Sequence, residues 1–141
     1  LHGDHKHNVR FTAVSMGNPH VVIPVEDTES LKVSHLGPPI ATHPMFPNGT
    51  NVMFVQRLSE EKAQIRIWER GAGETQASGS SSCAAASAAI RLGLVKSPVT
   101  VKMPGGQLNI QVAQDFSLTM KGPVAEVARG SLSPSFVRSL R

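Results

Sequence analysis

The sequence has few of the residues on which several classes of protein depend. Its 141 residues include one cysteine and no tyrosine, and aromatic residues make up only 4%. One cysteine excludes an internal disulfide and a zinc site built from cysteines. So few aromatic residues argue against the base-stacking surfaces of many single-strand nucleic-acid binders. No apolar run approaches the ~18 residues of a membrane-spanning helix, so we expect no membrane partner.

The residues that are present indicate one mildly basic folded domain. The chain is 40% hydrophobic and 17% charged, which allows a real core and is too little charge for disorder. Lysine and arginine exceed the acidic residues by 14 to 10, but they are spread along the chain and form no phosphate-binding stripe. We therefore expect no nucleic-acid partner. The 12 glycines and 10 prolines predict many turns and few long helices.

The first residues differ in character from the rest of the chain. Residues 1–8, LHGDHKHN, hold three of the six histidines, and Leu1 at the very end is their one apolar side chain. We expect a flexible polar lead-in here rather than a metal-binding tract. No other set of residues has the spacing of metal ligands, so no metal is expected. The chain begins with leucine, which predicts that its native start lies further upstream.

Short strands dominate the predicted secondary structure. Alternating polarity over 9–15 predicts a strand, GNPH at 17–20 a turn, and VVIPV at 21–25 a second strand. The small polar residues at 71–82, GAGETQASGSSS, predict a flexible stretch. The further predicted strands are 50–56, 63–69, 99–103, 107–112, 116–120 and 123–129.

Two helices are predicted, and they differ in burial. An Asp-Thr pair at 27–28 predicts the cap of a short helix through His35, which Gly37 and the two following prolines would end. The segment Cys83 to Leu92 is rich in helix formers and apolar nearly all round, which predicts a buried helix. Many strands and one buried helix indicate a single α+β domain, a mixed or antiparallel sheet curled around a central helix.

The start of the central helix is a candidate binding site. A strand ends at Glu69 and Arg70, a glycine-rich loop follows, and the helix begins near Ser80 to Ser82. The first N–H groups of a helix have no partner within it and carry a partial positive charge. Small residues here would let an anion approach the backbone. Spacing alone leaves two readings open, a carboxylate or phosphate cradle and a capped loop before a core helix.

Four segments resemble the C-terminal half of the diaminopimelate epimerase family, within the wider superfamily that includes proline racemase-like proteins. The resemblance covers about 9–130 in the family's order and spacing, and ERGAGET is its most specific part. It implies a cytoplasmic isomerase of lysine biosynthesis, an amino-acid epimerase or racemase that uses neither pyridoxal phosphate nor a metal, so no cofactor is expected. The segments are GNPH at 17–20, FPNGTNVMF at 46–54, WERGAGETQASGSSSCAAA at 68–86 and MPGGQLNI at 103–110.

The resemblance also implies how such a protein works. The family has two similar halves with a cleft between them, and each half contributes one cysteine to opposite faces of the substrate carbon. One thiolate removes the proton and the opposite thiol returns one. The charge of the resulting carbanion moves onto the substrate carboxylate, which helix N-termini are placed to stabilise.

Substrate-binding residues follow from the same resemblance. Asn18, Asn51 and Arg70 match positions that contact the far end of a long diacid, an amino-acid head with its own carboxylate. An arginine fork with two amides suits a carboxylate. Glu69 matches the position that holds the substrate amino group, and we count it among both the binding and the catalytic residues.

The residues at the reacting centre include one departure from the family. His20 matches a position beside the reacting carbon, and Gly79 and Ser80 match positions whose backbone N–H groups hold the reacting carboxylate. The catalytic thiol of this half falls at Ser78, whose hydroxyl is a far weaker acid and a poor base at neutral pH. Cys83 matches a cysteine inside the helix that is not the base, so we expect a buried core residue.

Three functions therefore stay open. The first is half of an epimerase or racemase, inactive alone because an N-terminal half and the base thiol are absent. The second is a one-base lyase of the dehydratase type. The third is a non-catalytic homodimer that binds small carboxylates. The domain is expected to span 9–126, and the tail, Val127 to Arg141, to pack on the missing half or on a second copy.

Overall fold

The computed structural model describes residues 8–140, so all of the expected lead-in except Asn8, and the final Arg141, lie outside the described residues. The lead-in prediction is therefore untested. In chain order the elements are β1 (Thr12–Ser15), β2 (Pro19–Pro24), α1 (Val33–Ala41), β3 (Asn51–Ser59), β4 (Lys62–Glu69), β5 (Gly73–Thr75), α2 (Gly79–Arg91), β6 (Val99–Met103), β7 (Gly106–Val112), β8 (Leu118–Lys121) and α3 (Pro134–Ser139).

The strands form one mixed sheet that curls around α2. Their order is β1-β2-β3-β4-β6-β7-β8, and β5 pairs with β4 off this path. The β2–β3 and β4–β6 pairs are parallel and the other pairs are antiparallel. Helix α2 contacts every strand of the path from β1 to β8. The predicted α+β fold with a central buried helix is confirmed.

Alternation along the strands gives the sheet two buried faces. Successive side chains of a strand point to opposite faces, so neighbouring residues enter different cores. We call one the α2 face, where strand residues pack against the run Ser81–Ala89 of α2, all of it buried. We call the other the α1 face, where residues pack against α1. Strand members of the α2 face include Val22, Met53 and Ile67, and those of the α1 face include Val21, Val52 and Phe54.

Helix α1 corrects a prediction. It was expected to start near residue 28 and to end before the prolines, but it spans Val33–Ala41 and contains Pro38 and Pro39. Val33, Gly37 and Ala41 form its buried stripe. A Cβ on Gly37 would lie 2.5 Å from Cγ of Trp68, so glycine permits the close approach to β4. Proline's fixed φ is compatible with a helix, and packing on Trp68 outweighs the two lost hydrogen bonds.

The glycine-rich stretch at 71–82 was also predicted incorrectly. Its first part forms β5, which folds back on β4 with Glu69 opposite Gly73 and Ile67 opposite Thr75. Gly71 and Gly73 have φ of +83° and +81°, a backbone region that glycine enters without strain. These two residues therefore make a tight turn where composition alone indicates flexibility.

The strands predicted near the two ends of the chain also differ from the observed ones. Strand β1 starts at Thr12 rather than residue 9, and β2 starts at Pro19, inside the predicted turn. The strand expected over 123–129 is absent, because those residues have no neighbouring strand to pair with and are exposed. The short helix α3 was not predicted. Among residues 8–140, no helix has the length and apolar character needed to cross a membrane.

Candidate functional site

Three of the predicted site residues meet at one edge of the sheet. His20 lies near the start of β2, Asn51 is the first residue of β3, and Glu69 is the last residue of β4. His20 of β2 is the register partner of Asn51 of β3. The pairing of β3 with β4 begins one residue after Asn51. Because side chains two apart share a face, all three point to the α2 face. The core residues that set this face are Val22, Met53 and Ile67.

Asn51 ties this edge together through its side chain. It is buried, with 6% exposure, and its Nδ2 donates to the Pro19 carbonyl at 3.0 Å. Its Oδ1 accepts from the backbone N–H of Arg70 at 2.9 Å. Asn51 therefore joins the start of β2 to the end of β4, and one Nδ2 hydrogen is left for a ligand.

Arg70 follows β4 and is held on the same edge. Its Nη1 donates to the carbonyl of Asn48 at 2.8 Å, while the side chain stays exposed. The structure thus brings the backbone of Arg70 to the Asn51 side chain, while the guanidinium bonds to Asn48. The Asn48 carbonyl is a contact that sequence patterns did not indicate, because a backbone acceptor leaves no signature in residue type.

His20 is buried with one ring nitrogen unpaired. Its exposure is 1%, and Nδ1 donates to the carbonyl of Asn18 at 3.0 Å, which leaves Nε2 as a buried atom without a partner. Burial lowers the pKa of His20 below its ordinary 6.5; the hydrogen bond to Asn18 and the charge of Glu69 oppose this, and the charge of Arg70 adds to it. The imidazole is therefore neutral near pH 7. Asn18 and His20 line an open depression of about 440 Å³.

Glu69 has one defined partner. Its Oε1 accepts from the hydroxyl of Thr75 at 3.0 Å. Thr75 lies on the α2 face because it pairs with Ile67. The sequence reasoning missed Thr75 by treating its segment as flexible. The glycines at 71 and 73 followed by Glu-Thr were the available signal for a turn and a returning strand.

Helix α2 begins with a capped first turn. Ser78 is the N-cap residue, and its Oγ accepts from the N–H of Ser81 at 3.4 Å. Within the part of the chain that the structure describes, the N–H groups of Gly79 and Ser80 make no hydrogen bond. These two free donors carry the positive end of the helix dipole. The start of α2 therefore has features of both readings of the sequence: a capped turn, and two N–H groups able to donate to an anion.

A methionine of β8 lies over this helix start. A Cβ on Gly79 would lie 3.2 Å from both Sδ and Cε of Met120, so glycine leaves room for that side chain. Met120 pairs with Ile110 and shares the α2 face. Ser78 and Gly79 line an open depression of about 290 Å³. Sequence patterns gave no reason to place Met120 here, since its strand joins the site only through the curl of the sheet.

The predicted residues thus form two groups, and in the first of them the side chains of His20, Asn51 and Glu69 share the α2 face. One contains Asn18, His20, Asn51, Glu69 and Arg70, and the other contains Ser78, Gly79 and Ser80. Over residues 8–140 no hydrogen bond joins the groups, and the depression that Ser78 and Gly79 line is not the one that Asn18 and His20 line. Their side chains supply an acid, a neutral imidazole and a guanidinium, and the backbone of Gly79 and Ser80 supplies free N–H groups. This set suits a zwitterion with carboxylates.

Two expectations concern metals and Cys83. Among the described residues, no three histidine, cysteine or acidic side chains cluster as metal ligands would. Cys83 is buried in α2 with 7% exposure, and burial raises the pKa of its thiol. This thiol stays protonated and is a core residue, as predicted.

Comparison with known proteins identifies the family. The family sequence model described as diaminopimelate epimerase matches residues 12–127, most of the chain. The chain belongs to the diaminopimelate epimerase family. It is 51% identical over 125 residues to a diaminopimelate epimerase of Azotobacter vinelandii, a match that covers 88% of this chain and 45% of that protein.

A second relative gives the same coverage. A protein named diaminopimelate epimerase 2, from a Nostoc species, is 50% identical over 123 residues, which is 87% of this chain and 43% of the relative. The chain therefore spans less than half the length of these curated relatives. In family terms it is an epimerase-like half domain.

Solved structures support the fold alone. A phenazine biosynthesis protein of the PhzF family from Enterococcus faecalis matches with a TM-score of 0.55 and 15% identity, covering 75% of this chain and 40% of that one. A PhzF-family protein from Bacillus anthracis matches with a TM-score of 0.53 and 18% identity, covering 79% of this chain and 38% of that one. The curled sheet around a helix is thus shared at low sequence identity.

Proposed function

We propose that this chain is the C-terminal half of a cofactor-independent epimerase for a diaminopimelate-like amino acid. The observation that carries the proposal is the meeting of His20, Asn51 and Glu69 on the α2 face, the side on which α2 presents two free amides. The relatives share this half at about 50% identity. The site faces outward and needs a second wall, which we assign to an N-terminal half.

The binding roles follow from the chemistry of each group. The guanidinium of Arg70, the remaining N–H of Asn51 and the side chain of Asn18 suit the carboxylate at the far end of a diacid. The carboxylate of Glu69 suits a substrate ammonium group. The free amides of Gly79 and Ser80 suit the carboxylate next to the reacting carbon, where negative charge develops.

Proton transfer divides between the two halves. A thiolate from the N-terminal half takes the α-proton, and the electron pair left behind is delocalised into the neighbouring carboxylate. Return of a proton by the same thiol regenerates the starting isomer, with isotope exchange but no inversion. Inversion needs a proton donor on the opposite face, and there this chain offers the Ser78 hydroxyl, whose pKa is poorly matched to neutral pH.

The partner proposal draws on the tail. From Thr119 to Leu140 every residue is exposed, and Val124 and Val127 are 98% and 96% exposed. Apolar side chains this exposed are usually covered in a working assembly. We propose that the tail packs on the N-terminal half, with exchange between two copies as the alternative. The further apolar residues exposed in this tail are Leu132, Phe136, Val137 and Leu140.

Mixing the two halves tests the proposal. The chain would be combined with the segment of the Azotobacter vinelandii relative that it does not span, and diaminopimelate would be followed in deuterated water by NMR and by chiral separation. We expect no exchange from the chain alone, and exchange from one isomer in the mixture. Ser78→Cys should raise inversion by ~10²-fold or more.

The controls separate the proposed roles. Cys83→Ala in the Ser78→Cys background should leave inversion unchanged, since Cys83 is a core residue. Equal inversion by the wild type and by Ser78→Cys, or no exchange from either protein, would overturn the proposal. Light scattering should show a one-to-one complex, whereas a dimer of the chain alone would favour the second-copy alternative. Release of a keto product from a hydroxylated amino acid would favour the lyase.

A further inference from the structure

The Glu69 carboxylate lies at the end of a strand, a position where the strand by itself does not fix the orientation of the side chain. It is the last residue of β4, and its side chain is only half-buried. Among residues 8–140 it forms no ion pair, and its one hydrogen bond comes from the Thr75 hydroxyl at 3.0 Å. A flexible carboxylate with access to water has many orientations, so this single bond decides where its charge lies.

Strand β5 delivers the Thr75 hydroxyl to that point. The turn after β4 closes with the N–H of Ala72 donating to the Glu69 carbonyl at 3.2 Å. Glu69 then pairs with Gly73, which makes Thr75 its diagonal neighbour on the same face. Diagonal neighbours of an antiparallel pair are within reach of each other's side chains. The bond is therefore a product of strand register rather than of chance proximity.

His20 lies on the same face, two strands away. The register joins His20 to Asn51, and Asn51 lies beside the end of β4. Two strand spacings place the backbones of Glu69 and His20 about 10 Å apart. Their side chains lie on the same face, and the charge of Glu69 acts on the buried imidazole.

We propose that Thr75 is a positioning residue that holds the Glu69 carboxylate on the α2 face, where its charge acts on His20. The inference deepens the proposed function, since the position of Glu69 matters most if this face binds an amino acid. Threonine also suits a strand through its branched side chain, but valine would serve that purpose equally well. Only the hydroxyl distinguishes the two roles.

The test follows the imidazole of His20 by NMR titration of the full chain, with no need for activity. Glu69→Gln should lower the pKa of His20, because the negative charge that favours the imidazolium is removed. Thr75→Val keeps the shape and removes the donor, so we expect a smaller decrease in the same direction. Thr75→Ser keeps the hydroxyl and should titrate like the wild type.

Glu74→Gln is the matched control. Glu74 is the neighbour of Thr75 in β5 but lies on the opposite face, where it pairs with Arg66. It should leave the titration of His20 unchanged. A wild-type titration in Thr75→Val or in Glu69→Gln, or a Thr75→Ser variant that behaves like Thr75→Val, overturns the inference. Failure of the mixed halves to exchange protons would count against the proposed function and leave this result standing.

Discussion

Glu69 and Glu74 lie five positions apart in one hairpin and have opposite surroundings. Glu74 is on the α1 face and forms an ion pair with Arg66. Glu69 is on the α2 face and accepts a hydrogen bond from a neutral hydroxyl. The difference comes from the pleat, which sends residues an odd number apart to opposite faces when a turn preserves register. A short motif thus supplies one structural ion pair and one acid with an uncompensated charge.

The same contrast extends to the whole sheet. The α1 face is closed by a short helix. Its polar groups are paired with each other: Arg66 with Glu74 in an ion pair, and the buried side chains of Thr28 and Gln64 through a hydrogen bond. The α2 face is closed by a helix of small residues, but it leaves an unpaired imidazole nitrogen and two free amides at its edge. Unsatisfied polar atoms are costly unless something binds them, which is why we propose the binding site on the α2 side.

The largest expected effect is a loss of folding stability caused by a substitution on the α1 face. Gly37→Ala places a methyl carbon 2.5 Å from Cγ of Trp68, and overpacking of this kind costs about 1–3 kcal/mol. Urea unfolding of the variant should show this loss. Ser34→Ala, an exposed change on the same helix, is the control and should have little effect. If the faces are independent, the titration of His20 stays the same in Gly37→Ala, and a large change there would contradict the separation.

The next effect is the pH dependence of folding stability that His20 of the α2 face causes. Burial lowers the pKa of His20 below 6.5, so between the two values the unfolded chain binds more protons than the folded one. The stabilisation that neutral His20 contributes is therefore fully present above pH 6.5 and is lost as the pH falls below 6.5. Thermal unfolding at ~pH 7.5 and ~pH 5.5 should show a lower melting temperature in acid.

His20→Gln, which stays neutral, should flatten that pH dependence. The carboxyls of Asp27 and Asp115 also have lowered pKa values, each because of a hydrogen bond from the backbone N–H two residues later. Their contribution is lost only below their ordinary 3.8, outside this window. An unchanged slope in His20→Gln would show that folding does not lower the pKa of His20.

The smallest effect concerns the ion pair of the hairpin. Arg66 and Glu74 are partly exposed, so Glu74→Gln should cost about 0–1 kcal/mol and less at high salt. Urea unfolding at two salt concentrations measures this. A loss above that range would mean that Glu74 supports β5 more than a surface pair does, and the contrast with Glu69 would weaken.

Sequence patterns found the elements whose signals are local. The apolar, alanine-rich run predicted α2, and β6 spans the predicted residues. They failed where distant packing decides. Pro38 and Pro39 indicate a helix end, yet α1 continues through them. It packs on Trp68 because Gly37 leaves space for the indole ring. Strand β5 was missed because pairing with β4, and not composition, orders its glycines.

The candidate site shows the same division. The residue types came from a motif resemblance, and the structure brings Asn51 and Arg70 into one hydrogen-bonded edge. Thr75 and Met120 were beyond reach of the sequence, since each joins the site through strand register or the curl of the sheet. Positions that depend on two elements at once leave no periodic signature.

Ser78 occupies the start of α2, where helix stability would compete with the proton chemistry that we propose for this position. Its hydroxyl accepts a hydrogen bond from the first turn of α2, and serine is among the best residues for that role. A sulfur there would accept more weakly, but the nearby amides would favour its ionised form. The same backbone N–H groups can thus either stabilise the helix turn through a serine cap or favour the ionised form of a thiol. In this chain they stabilise the turn.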